Sequence, residues 1–142
     1  MDTALGREVI TAIDTSVLLD VILDDPKYGA ASLGALQKAR ALGGLIACPV
    51  VWAEVRAAFT KPAGIGDLFS KAGIAFDPFD QACADIAGDL WSAYRRHGGS
   101  RTHLIPDFLV GAHAKRRGGR LLARDRGFYR RYFSGLEVIE PA

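Results

Sequence analysis

Glu8–Asp20 reads EVITAIDTSVLLD, and this stretch sets the class of fold. Val9, Ile10, Ala12 and Ile13, with Thr11 among them, form a short apolar run that suits a central strand buried on both faces better than a half-exposed one. The run ends at a carboxylate, Asp14. Thr15 and Ser16 follow as capping types, and Val17, Leu18 and Leu19 begin a helix. Asp14 therefore stands where a strand's carboxyl end hands over to a helix N-terminus, which in open α/β sheets is a ligand crevice. This stretch alone leaves two roles open, helix cap or functional carboxylate.

Working outward, the same alternation repeats. Asp24, Asp25 and Pro26 break the first helix, and a second is expected from about Tyr28 to Leu42, ended by Gly43 and Gly44. Leu45–Ala47 reads as a second strand, and Pro49 suits the first turn of a third helix with Val51, Trp52, Val55, Ala58 and Phe59 at helical spacing. Pro62, Gly64 and Gly66 mark a loop before a short helix around Asp67–Ala72, and Ile74–Phe76 reads as a third strand. Asp80 caps a helix carrying Cys83, Ile86, Ala87, Leu90, Trp91 and Tyr94, a core-facing stripe. Pro106 keeps Ile105 extended, so the next helix is expected to begin at Asp107. Leu121–Ala123 and Leu136–Ile139 give a fourth and fifth strand, with a packed aromatic turn (Phe128, Tyr129, Tyr132, Phe133) between them. The alternation predicts an α/β domain with a parallel sheet of four or five strands covered on both faces.

At 142 residues, 49% of them hydrophobic, the chain is expected to form a single domain over residues 1–142 with a real core. The longest nearly unbroken apolar run, Leu45–Ala53, is far below the roughly 18 residues of a membrane span, so a soluble, cytoplasmic protein is expected. Cys48 and Cys83 are too few and too far apart for a metal or disulfide framework and read as small buried hydrophobes. The net charge of +2 conceals an asymmetry: residues 1–93 hold 7 Lys and Arg against 12 Asp and Glu, and residues 94–142 hold 11 against 4. Arginine dominates the basic half, and its planar fork suits phosphate groups. A solvated surface or an acidic partner would produce the same bias.

Four acids carry the chemistry. Asp14 and Asp125 follow strand ends, Asp107 starts the helix leading into the fourth strand, and Glu54 lies in the third helix, where its spacing from Val50, Val51, Ala57 and Ala58 places it on or beside the apolar face. Singly, each has an ordinary explanation: a cap for Asp14 and Asp107, an Asx turn for Asp125, an ion pair with Arg56 or Lys61 for Glu54. Gathered in one crevice, they would repel by roughly 4 kcal/mol per pair at 4 Å and an effective dielectric of 20, which calls for a cation or raised pKa values. Oxygen donors without a Cys or His set favour Mg²⁺ or Mn²⁺ over zinc. A hard ion held in this way suits phosphodiester hydrolysis, with the basic half holding the polyanion. His113, six residues after Asp107, reads as a structural hydrogen-bonding residue. A receiver-type domain would need an acidic pair after the first strand and a Lys after the last, and a haloacid-dehalogenase-type phosphatase an Asp at position 16; the chain has Asp14-Thr15, a last lysine at Lys115, and Ser16.

Asp14 in AIDTSVLLD, Glu54 in PVVWAEV, Asp107 in IPDFLVGAHA and Asp125 in LLARDRGF resemble the four acidic positions of the PIN-domain nucleases, and the chain from about Ile10 to Ile139 is similar to the VapC toxins of VapBC toxin-antitoxin modules. The resemblance implies a three-layer α/β/α sandwich and an Mg²⁺- or Mn²⁺-dependent endoribonuclease. It also implies a homodimer and a VapB-type antitoxin that blocks the site and supplies any contact with DNA. Asp14, Glu54, Asp107 and Asp125 become metal ligands, direct or through water, and Ser16 a supporting residue. Arg124, Arg126, Arg130 and Arg131 are the candidate RNA contacts. Ala123 departs from the pattern, since many relatives have Thr or Ser there and the polar support near Asp125 is missing. The alternative is a PIN-like module that binds RNA or protein without cutting.

Overall fold

The computed structural model describes residues 9–59, 64–99, 103–125 and 127–142. Arg126, Lys61, Arg101 and Thr102 lie outside the described residues. Five parallel strands, β1 (Val9–Ile13), β2 (Gly43–Ala47), β3 (Ile74–Phe76), β4 (Arg120–Leu122) and β5 (Glu137–Ile139), form one sheet in the order β3-β2-β1-β4-β5. Helices α1 (Thr15–Ile22), α2 (Gly29–Leu42), α3 (Pro49–Ala57), α4 (Ile65–Ala72), α5 (Gln81–Arg96), α6 (Ile105–Arg117) and α7 (Phe128–Tyr132) flank it as a three-layer α/β/α sandwich.

β1 is central, as its composition requires: Thr11, Ala12 and Ile13 are buried, and the strand pairs with β2 (Ala12 opposite Ile46) and with β4 (Ile13 opposite Leu122). The chain leaves β1 toward β2 and β3 and returns to its other side for β4 and β5, so the order reverses between β1 and β4, where an open sheet offers its crevice. The Asp14 N–H donates to Leu122 O at 2.9 Å, extending the ladder one residue beyond β1. Asp14 is thereby fixed at the mouth of that crevice.

Several boundaries differ from the sequence reading, each for a local reason. Gly43 and Gly44 do not merely stop α2; they open β2, paired with Val9 and Ile10, because ladder bonds to a central strand outweigh glycine's low strand preference. α6 begins at Ile105, with Pro106 inside its first turn, where a missing N–H costs nothing. The aromatic turn is a short helix, α7, introduced by Gly127 at φ +97°. Gly111 lets α6 approach it closely: a Cβ there would lie 2.3 Å from the Phe133 ring. Cys48 and Cys83 are free and buried, and burial pushes both thiols up to about 11.

His113 is a buried structural residue. Its Nε2 lies 2.7 Å from Asp77 Oδ2, and Arg117 grips the same carboxylate through Nε at 2.7 Å and a second nitrogen at 3.1 Å. The Arg117 guanidinium holds Asp77 below the usual carboxylate range, whereas burial lowers the His113 pKa despite its Asp77 partner. A histidine whose folded pKa is depressed favours the unfolded chain once that chain takes up the proton. Stability to urea is therefore expected to fall as pH drops below about 6.5. His113→Gln should flatten that part of the profile, and an unchanged slope would place the titrating group elsewhere.

Candidate active site

A cleft of about 910 Å³ opens at the carboxyl edge of the sheet, and Asp14, Asp107 and Asp125 line it together. Asp14 is the N-cap of α1: its Oδ2 accepts from Ser16 Oγ at 2.7 Å and from the Ser16 N–H at 3.4 Å. Asp14 itself, and not Thr15 or Ser16, is thus the cap of α1, and it lines the cleft as well. Its Oδ1 accepts from the Tyr129 hydroxyl at 3.2 Å. Burial raises the Asp14 pKa, and the hydroxyl and N–H donors only partly offset it. Among the described residues no cation pairs with it.

Asp125 is 6% exposed and clamps the start of α7, its oxygens accepting from the Tyr129 N–H at 3.1 and 3.2 Å and from the Arg130 N–H at 3.3 Å. Backbone amides thus supply the support that Ala123, itself fully buried, cannot give. Asp107, in the first turn of α6, accepts from the Leu104 N–H at 3.1 Å and lies 3.5 Å from His103 Nδ1.

Glu54 requires a correction. It does not lie on the apolar face of α3; it is exposed, and only Val51 and Val55 of that helix are buried. Its Oε1 accepts from Thr15 Oγ1 at 2.6 Å, which ties it to the residue after Asp14. The charges of Asp14 and Glu54 add to burial in raising the Cys48 thiol, so both carboxylates lie near the junction of β2 and α3.

The basic half is also rearranged by its partners. Arg116 pairs with Asp80, Arg117 with Asp77, Arg120 with Glu137, Arg124 with Asp20 and Arg130 with Glu140. Arg124 lines the cleft, yet its fork grips the buried Asp20 at 2.7 and 3.0 Å and its guanidinium lies 4.1 Å from the Tyr28 ring centroid, so it serves as a clamp. Arg131 also lines the cleft, is exposed, and rests over the Tyr132 ring.

Sequence reasoning missed two residues here. Asp20 enters the sequence reading only as the end of the stretch Glu8–Asp20, and Tyr129 only as part of the packed aromatic turn. Their partners, Arg124 and Asp14, lie 104 and 115 residues away, so no local spacing announces them.

Among the described residues, no three of His, Cys, Asp and Glu are grouped closely enough to hold an ion with the side chains as placed. The donors nevertheless fit a hard divalent cation. They are carboxylate oxygens, and Asp14 is a partly buried acid without a counter-ion among the described residues, the condition that such a cation relieves.

A parallel α/β domain with acids collected at its topological switch point describes a class, and the comparisons with known proteins give the family. Residues 11–134 match the PIN domain family, and the chain belongs to it. Among solved structures, it is similar to VapBC2 from Rickettsia felis bound to a fragment of promoter DNA (TM-score 0.72, 16% identity, 93% of this chain and 98% of that one). It is also similar to VapBC-1 from nontypeable Haemophilus influenzae (0.69, 12%, 93% and 98%). A third is VapC20 of Mycobacterium tuberculosis, a toxin that cleaves the sarcin-ricin loop (0.59, 15%, 89% and 98%). The comparison with curated proteins finds no match.

Proposed function

We propose that the chain is a VapC-type toxin, an endoribonuclease that hydrolyses RNA phosphodiester bonds with Mg²⁺ or Mn²⁺. The observation that carries this reading is the convergence of Asp14, Asp107 and Asp125 on one cleft of a PIN fold, with charge from all three felt at the Tyr129 phenol. Asp14 and Asp107 would hold the ion most directly, with Asp125 and Glu54 completing the set directly or through water. The bound ion would supply a water of lowered pKa and neutralise charge developing on a phosphoryl oxygen. Ser16 orients Asp14, and Arg131 faces the phosphates of the bound strand.

A VapB-type antitoxin belongs to this reading, since the similar structures include toxin-antitoxin complexes, one of them on promoter DNA. The same reading carries a homodimer in the cytoplasm, with DNA contacted only through the antitoxin. Among the described residues, no helix is long and apolar enough to cross a membrane.

Purified chain, freed of any antitoxin, should cut RNA with Mg²⁺ or Mn²⁺ and stop on chelation. The exposed position of Glu54 and the scattered carboxylates favour a second reading, a non-catalytic binding module; RNA binding without cleavage in either metal would establish it. Arg131→Ala is expected to weaken RNA binding and to lower the slope of log K against log salt by about 1. An unchanged slope would put the phosphates on another face.

A further inference from the structure

Tyr129 bonds to both Asp14 and Asp125, and it does so with different groups. Its backbone N–H donates to both oxygens of Asp125, and its hydroxyl donates to Asp14 Oδ1 at 3.2 Å. The residue is 7% exposed, and its ring is wedged against Phe128 and Phe133, with centroids 5.1 and 6.2 Å away. One stiff side chain thus spans the gap between the acid after β1 and the acid after β4.

Toward an ionised carboxylate, which can only accept, the Tyr129 hydroxyl donates. Asp14 then receives one hydroxyl on each oxygen, Ser16 on Oδ2 and Tyr129 on Oδ1. Ser16 lies two residues away and moves with α1; Tyr129 arrives from the far side of the crevice. Two donors fix the carboxylate plane and leave each oxygen further acceptor capacity.

We propose that Tyr129 is a positioning residue that sets the orientation of Asp14 relative to Asp125, so that a divalent ion meets a preorganised pair of carboxylates. This rests on the metal-dependent nuclease reading. The competing role is purely structural: the ring fills the core and the hydroxyl takes the nearest acceptor, because a buried hydroxyl needs one. Tyr129→Phe separates the two, since it keeps the ring and the N–H bonds to Asp125 and removes only the hydroxyl.

The test is Mn²⁺ titration of the full chain by calorimetry or electron paramagnetic resonance, with RNA cleavage kinetics and thermal unfolding on the same samples. Tyr129→Phe is expected to melt within a few degrees of wild type and to bind Mn²⁺ roughly 10-fold or more weakly. Its kcat should drop by a similar factor while KM for RNA stays within about two-fold. Wild-type affinity and kcat in the variant, or loss of its fold, would overturn the positioning role and leave a structural one. Wild-type protein that neither bound Mn²⁺ nor cut RNA would instead remove the nuclease reading itself, and this proposal with it.

Discussion

Asp14→Asn is expected to lower metal-dependent RNA cleavage by more than about 100-fold, beyond the 10- to 100-fold typical of losing a residue that only supports a metal ligand, without weakening the metal-free fold. Asparagine matches aspartate as an N-cap and in volume, so α1 keeps its start. The amide oxygen can keep the bonds from the Ser16 hydroxyl and N–H, while the amide nitrogen, which only donates, meets the Tyr129 hydroxyl, which can turn to accept from it. What disappears is a negative charge that burial disfavours, as the raised pKa of Asp14 indicates. At neutral pH the variant should therefore melt at the same temperature as wild type or slightly higher, and added Mn²⁺ should stabilise wild type alone. A large fall in melting temperature would assign Asp14 to capping only, and retained cleavage would place the chemistry away from this cleft.

How far the sequence reveals this site depends on the distance between each acid and its partners. β1, the Asp14 junction, the Pro49 start of α3 and the Asp80 cap all follow from neighbours within a few residues, and the structure has them where the sequence puts them. The Asp80 carboxylate accepts from the Cys83 N–H at 2.8 Å, as a cap should. Glu54 shows the limit. Three- and four-residue spacing puts it beside Val51 and Val55, but burial also needs a neighbouring element to cover that side, and here Glu54 is exposed while those two valines are buried. The arginines show another limit. A basic run advertises phosphate binding only while its forks are free, and Asp20, Asp77, Asp80, Glu137 and Glu140 occupy five of them. Pairings of that range come from the fold, and the fold gives five of these arginines a carboxylate partner within the chain.

Arg124→Ala is accordingly expected to act on stability first. Asp20 is 4% exposed and relies on the Arg124 fork and on Ser32 Oγ at 2.7 Å. Truncating the arginine leaves a buried carboxylate with one neutral donor. Breaking such a pair costs about 3 kcal/mol, the low end of the range for buried pairs because the Arg124 side chain keeps 30% exposure. For a chain of this size, that lowers the melting temperature by about 10 °C. Asp20→Asn in the same chain should restore part of the loss, since the Ser32 hydroxyl can donate to an amide oxygen and no unpaired charge remains; the double variant should be less destabilised than the two singles added together. The clamp also bears on the cleft: alanine keeps the backbone N–H that donates to Ser16 Oγ at 3.3 Å, but without the fork on Asp20 the segment carrying that N–H loses its anchor, and Ser16 in turn donates to Asp14. Cleavage by Arg124→Ala should therefore fall even at temperatures where the variant is folded, while the salt slope of RNA binding stays as in wild type. A lower slope with an unchanged melting temperature would return Arg124 to the RNA surface.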